Sequence, residues 1–258
     1  MTESWNPAQY ERFRAERTAP FYDLLALVRK VEHARVVDLG CGTGELTRVL
    51  HQTLGASETL GIDSSIAMLQ KSKQHSLPGL SFETARIEDY RPRAPLDLVF
   101  SNAALQWIDD HARLFERLTA MLARGGQLAV QMPANDDHPS HVVARELGAR
   151  EPFASALGQA PRVSPVLPPE RYSLLLEELG YEVETVRLYV YLHRLQKTSD
   201  LVEWVKGTLL TWYEAQLGPE LYARFIELYS ERLFEALGVG ADAPYRFAFK
   251  RILLWAKR

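Results

Sequence analysis

The run Val36-Val37-Asp38-Leu39-Gly40-Cys41-Gly42-Thr43-Gly44 leaves this chain few ways to fold. Val36, Val37 and Leu39 read as a buried strand. Three alternating glycines then break it, and a helix opens at Glu45. Each glycine removes a side chain where a ligand or the following helix must come close to the backbone. A second acid ends the apolar run Gly61-Ile62-Asp63. It lies about 20 residues past the turn, where a nucleotide-binding α/β fold places the carboxylate that holds a ribose. A glycine loop alone is a weak sign, and it also suits a tight turn made only for packing. Strand, loop, helix, second strand and acid in this order are a strong sign.

The remaining pattern extends that start. Strands are predicted over Arg35–Leu39, Thr59–Ile62, Leu80–Thr84, Leu96–Ser101 and Gln127–Met132, with helices between them near Glu45–Thr53, Ser65–Lys73 and His111–Leu122. Such alternation predicts right-handed crossovers and a parallel sheet with helices on both faces. Ser64 and Asp110 are expected to cap helices, and Arg124-Gly125-Gly126 to stop the helix before the fifth strand. Two helices, Ala8–Arg17 and Phe21–Val31, precede the first strand. After Met132 the texture becomes proline-rich and loop-like, with helices near Ser140–Gly148 and from Leu167 to Gly180. Two β-rich segments, Glu182–His193 and Arg246–Lys257, flank helices at Ser199–Leu217 and Pro219–Leu237 and are expected to pair side by side at a sheet edge. The fold class is therefore α/β, a Rossmann-like, seven-stranded, mostly parallel sheet with a helical cap. One domain is expected over residues 1–258, with 1–31 as a helical lid and 134–180 and 194–245 as insertions covering an acceptor.

Composition narrows the function. The 258 residues carry a formal charge of −3, with no basic excess to track a polyphosphate, so nucleic acid is not expected as a partner. Cys41 is the only cysteine, so an internal disulfide and a thiolate zinc cluster are excluded. His138 and His141 lack a third ligand at metal-like spacing, and no metal is expected. The polar start Met1–Pro7 is no signal peptide and no apolar run is long enough to cross a bilayer, so a cytoplasmic protein is expected, as a monomer or weak homodimer.

A dinucleotide site uses G-x-G-x-x-G, whereas this turn reads G-x-G-x-G within Asp38–Gly44. That spacing resembles the class I S-adenosylmethionine-dependent methyltransferases. The resemblance sharpens in Trp5-Asn6-Pro7, Tyr10, Phe13, Glu16-Arg17, Gly61–Ser65 with Ala67-Met68, and above all Ser101-Asn102-Ala103-Ala104-Leu105-Gln106-Trp107. Gln131-Met132-Pro133, Pro139, His141, Arg145-Glu146, Trp204-Val205 and Arg251 before Leu253-Leu254 continue it. Together these resemble the trans-aconitate 2-methyltransferase family. The family implies methyl transfer from S-adenosyl-L-methionine to a carboxylate oxygen of a small acid, leaving S-adenosyl-L-homocysteine.

The resemblance also implies roles. The methionine part would lie along Gly40 and Gly42, and Asp63, beside Ser64, would take the ribose hydroxyls. Tyr10 would cap the sulfonium and Arg14 pair the methionine carboxylate, although solvated charges on an amphipathic helix explain both. Asp63 is otherwise an acid near a helix start. Asp38 either holds the glycine loop or reaches the cofactor's amino group through water. Asn102, at the carboxyl end of the fourth strand, would hold the methionine ammonium. Met68 is either an adenine-side filler or core, and Ile87 packs on the ring. Arg86 departs from the family, where an acid takes the adenine amino group. It either stacks on the base or stands in solvent, leaving Glu88 or Asp89 as acceptor. His111 reads as a surface helix start. For the acceptor, the candidates are Arg17, Gln106, Trp107 (otherwise core), His141, Arg145, Trp212 and Arg251.

A carboxylate acceptor is ionised at neutral pH, with a reference pKa of about 4. No general base is needed and no catalytic side chain is expected; alignment of oxygen, carbon and sulfur supplies the rate. Relatives carry Ser-Arg-Pro and Leu-Arg-Pro where this chain has Thr18-Ala19-Pro20 and Leu210-Thr211-Trp212. Each missing arginine removes a contact of about 1.5–3 kcal/mol. Either Arg17, Arg145, Lys206, Arg246 or Arg251 compensates, or the acceptor carries fewer carboxylates and meets Trp212, Tyr213 and Tyr172. Two further readings stay open: another carboxylic acid (fatty or carrier-bound) as acceptor, and a cofactor-binding protein without catalysis.

Overall fold

The computed structural model describes residues 14–158 and 163–258, with backbone alone at 14–17, 183 and 184. Its strands are β1 (Arg35–Leu39), β2 (Glu58–Asp63), β3 (Leu80–Thr84), β4 (Leu96–Asn102), β5 (Leu122–Pro133), β6 (Glu182–Leu195) and β7 (Tyr245–Lys257). They form one seven-stranded sheet in the order β3-β2-β1-β4-β5-β7-β6. β1 pairs in parallel with β2 and with β4, β2 with β3, and β4 with β5; β7 runs antiparallel to β5.

Strand alternation sends successive side chains to opposite faces. Val37, Leu39, Val99, Leu128, Val130 and Leu254 join one core, which helices α4 (His111–Met121) and α7 (Pro169–Glu178) cover with Leu114, Phe115, Leu118, Tyr172 and Leu176. Val36, Leu98, Phe100, Ala129, Leu253 and Trp255 join the other. There α1 (Arg14–Leu25) and α2 (Glu45–Leu54) pack with Phe21, Leu24, Leu25, Leu50 and Leu54. The strand order reverses direction between β1 and β4, and open α/β sheets bind ligands at the carboxyl ends of the strands at such a point.

The chain divides into two compact units. The sheet unit holds residues 18–134, 165–189 and 250–258. The other includes 135–158 and 190–249 and contains α5 (Pro139–Gly148), α6 (Phe153–Leu157), α8 (Ser199–Lys206) and α9 (Thr211–Leu237). α9 is broken at Gly218, whose φ of 68° and ψ of 168° leave the helix just before Pro219. The second unit has its own core of Trp204, Tyr213, Phe225, Tyr229, Phe247 and Phe249, with Tyr213 stacked on Phe225 at 4.7 Å between ring centroids.

Several element boundaries differ from the sequence expectation. Before β1, α1 carries Pro20 inside it and ends at Leu25 instead of Val31. Leu27 and Val28 donate to Leu24 and Leu25, a tightened turn that closes the helix. Ser65, not Ser64, caps α3 (Ile66–Ser72), its hydroxyl accepting from the Met68 N–H at 3.3 Å. Asp110 caps α4 as expected, accepting from Arg113. Arg124-Gly125-Gly126 lies within β5, which starts at Leu122 because Leu122 pairs with Leu96. β7 does lie beside β6, but it is interior, and β6 is the edge.

Candidate functional site

The glycine turn is held from several sides within the sheet unit. The N–H groups of Gly40 and Cys41 donate to the Ile62 carbonyl at 2.8 and 2.9 Å. Ser101 Oγ donates to the Leu39 carbonyl at 2.9 Å, tying the end of β4 to the end of β1. A side chain on Gly40 would collide with Ala104 Cβ, and one on Gly44 would stand 2.7 Å from the Phe82 ring and 2.8 Å from Ser72 Cβ. A side chain on Gly42 would meet nothing within 4 Å. Gly40 and Gly44 are therefore needed for packing, and Gly42 alone faces open space.

Two acids flank this turn. Asp38 is buried and accepts from Thr47 Oγ1 at 2.6 Å. Burial pushes its carboxyl up to about 7; the Thr47 hydroxyl pulls it back and Asp63 adds a further push. Asp63 is half-buried at the end of β2. Its Oδ2 accepts from the Gly42 N–H at 2.9 Å and its Oδ1 from the Ser65 N–H at 2.8 Å. A carboxylate has about four lone-pair sites, so Asp63 can clamp the turn to the start of α3 and still accept two hydroxyl protons. Cys41 beside it is inert: burial raises its thiol pKa well above the usual range.

The segment after β4 packs against the turn. Ala103 adopts φ 56°, uncommon for a residue with a side chain, and its N–H donates to the Gln131 carbonyl at 2.9 Å. This bend brings Ala104 against Gly40. Gln106 Nε2 donates to the Ala103 carbonyl at 2.7 Å. Asn102 Oδ1 and Gln106 Oε1 are buried with no hydrogen-bond partner among the described residues. Two unpaired acceptors suit a ligand that brings N–H donors.

Tyr10 lies outside the described residues, as do the side chains of Arg14 and Arg17. Ser64 is exposed and Met68 half-buried. Ile87 is partly buried, its Cδ1 4.0 Å from where a Gly40 Cβ would be. Arg86 is exposed and bound to Glu88 at 2.6 Å, with Asp89 3.6 Å away. Trp107 is 59% exposed, so the core alternative for it does not hold. His111 is not a surface residue: it is buried, Nδ1 against the Tyr172 hydroxyl and Nε2 3.1 Å from the Leu105 carbonyl. Tyr172 is in turn a core residue and offers no face to an acceptor.

Arg251 is buried on β7, its Nη1 donating to Gln131 Oε1 at 3.2 Å. In the helical unit, Arg145 pairs with the Asp136 carboxylate at 3.0 Å and its carbonyl at 2.9 Å. His141 Nδ1 lies 3.1 Å from Ser140 Oγ. Burial, then His138 and Arg145, pulls its pKa down to about 4, so the ring is neutral at pH 7. Trp212 is half-buried edge-on to Tyr213, Tyr213 is core, and Lys206 is paired with Glu203. Sequence reasoning missed Thr47 and Gln131 as site residues. Gln131 sits in the Gln131-Met132-Pro133 motif at a strand end, and that position was its available signal.

No three histidine, cysteine or acidic side chains are grouped to hold a metal ion among the described residues. No helix among them is long and apolar enough to cross a membrane.

A family model described as a methyltransferase domain matches residues 10–186. The trans-aconitate 2-methyltransferase of Deinococcus radiodurans is 43% identical across 99% of this chain and 98% of its own. That of Acidovorax ebreus is 39% identical across 98% of each. Among solved structures, a SAM-dependent methyltransferase from Thiobacillus denitrificans in complex with S-adenosyl-L-homocysteine covers 100% of this chain and 94% of its own, with TM-score 0.55 at 17% identity. An S-adenosylmethionine-dependent methyltransferase from Mesorhizobium loti covers 92% and 96%, with TM-score 0.53 at 23% identity. These two share the fold.

Proposed function

From the premise that the chain belongs to the methyltransferase domain family, and within it to the trans-aconitate 2-methyltransferase family, we propose that it methylates a carboxylate of a small acid, trans-aconitate foremost. The observation that carries the cofactor half is Asp63, which clamps Gly42 to Ser65 beside a turn whose central glycine faces open space. S-adenosyl-L-methionine, when bound, supplies the methyl group and departs as S-adenosyl-L-homocysteine. Asp63 accepts from the ribose hydroxyls, Gly42 lets the backbone come close, and Ile87 offers an apolar side to the base. Asn102 Oδ1 and Gln106 Oε1 accept from the ammonium group. Arg86 is committed to Glu88 and leaves the adenine amino group to a backbone acceptor or Asp89.

No proton has to move, because the acid arrives ionised. The chain contributes orientation and exclusion of water, and holding reactants in line is worth up to roughly 7–11 kcal/mol in ideal cases. One observation favours a second reading, an acid with fewer carboxylates. His141 is neutral and Arg145 is neutralised by Asp136, so two candidate cations offer little net charge to a tricarboxylate. A methyl-transfer assay with trans-aconitate and a series of monocarboxylic acids decides between them. The expected result is a kcat/KM for trans-aconitate at least about tenfold above any monocarboxylic acid, about 1.4 kcal/mol of discrimination. The reverse order selects the second reading. Cofactor binding without transfer to any acid would refute both.

A further inference from the structure

Asn102, Gln131 and Arg251 form a polar row at one end of the sheet, on one face. Asn102 and Gln131 are register partners across β4 and β5, and the Arg251 guanidinium on β7 reaches the Gln131 side chain. The Gln131 amide has only one possible sense. Arg251 has no acceptor atom, so Oε1 must face it and Nε2 must point away. That Nε2 is buried and has no partner among the described residues. The Gln106 amide is locked the opposite way. Its Nε2 is held by the Ala103 carbonyl, and its Oε1 is left as a buried, unpaired acceptor. Ala103 joins the two, donating its own N–H to the Gln131 carbonyl. One fixed donor thus stands beside two unpaired acceptors, Asn102 Oδ1 and Gln106 Oε1.

A donor and acceptors held apart in this sense match a zwitterion, not a single charge. We propose that Gln131, with its amide oriented by Arg251, donates Nε2–H to the carboxylate of the cofactor's amino-acid end while Asn102 and Gln106 accept from its ammonium. Arg251 is on this account a positioning residue, which touches no ligand and sets which amide atom faces the site. The inference rests on the cofactor reading above.

The test is isothermal titration with two probes. S-adenosyl-L-homocysteine carries the zwitterion, and 5′-methylthioadenosine has the same nucleoside without it. Gln131→Glu keeps size, gives Arg251 an ionic partner and replaces the donor with acceptor oxygens. We expect its Kd for S-adenosyl-L-homocysteine to rise about 10- to 100-fold, with the Kd for 5′-methylthioadenosine within about twofold of the parent. Gln131→Met, which removes the amide without adding charge, should show the same split. Equal loss with both probes means a role in folding only, and no loss with either means no contact; each overturns the proposal. A parent protein that binds neither probe overturns the cofactor reading itself, a result distinct from the other two.

Discussion

Asp38 shows how much one side chain can set. Its carboxyl titrates near 3.9 in an unfolded chain and is pushed up to about 7 in the fold, chiefly by burial. The folded protein therefore holds a proton that the unfolded chain has lost between these values. The stability this provides is complete below about pH 4 and is lost as pH rises through about 7. Urea unfolding at pH 5 and pH 8 should show Asp38→Asn lacking about 2–3 kcal/mol of the parent's fall in stability. Equal pH dependence in the two proteins would contradict the burial argument. Asp38 stood out in the sequence because it sits just before the glycine turn, and Asp63 because it ends an apolar run. Thr47 did not, because a threonine in an amphipathic helix has no local sign that its hydroxyl meets a carboxylate. His111 misled for the same reason: Tyr172, 61 residues away, completes its burial.

At the scale of elements, the turn between β1 and α2 divides its glycines by task. Gly44 is needed where α2 meets Phe82 and Ser72, while Gly42 borders open space. Both have positive φ, 76° and 55°, so an added methyl strains either one. Gly44→Ala should cost more than about 2 kcal/mol in unfolding free energy, strain plus overlap. Gly42→Ala should cost about 1 kcal/mol and weaken cofactor binding at least about tenfold, since its methyl enters the ligand's space. Urea melts and titration calorimetry check the pair; equal stability losses would refute the division. β1 and β3 were legible to the residue, since β1 is a short, mostly apolar run and β3 alternates apolar and polar residues. The start of β5 was placed five residues late because it depends on pairing with Leu96, which no local pattern encodes. Two helices were expected on either side of residues 18–20, yet α1 runs through them.

At the scale of the whole molecule, the reversal of strand order beside β1 and the antiparallel β7 follow from alternating patterns and a long helical insert before the last strand. The acceptor was less legible, because its recognition depends on charge states that only packing sets. His141 looked like a cation for an anionic acid, but its burial makes it neutral above about pH 5. We expect kcat/KM for the acceptor to run parallel in the parent and His141→Asn from pH 5.5 to 8. An inflection near 6.5 that disappears in the variant would show the ring titrating normally. The strand order carries one more consequence. β7 is the last strand in sequence and is bonded between β5 and β6. Synthesis delivers β5 and β6 first, and each must wait with an open rim until residue 257 has left the ribosome. Those newborn rims would be the places where stray strands attach, so the molecule's exposure to aggregation is written into the order in which it is made.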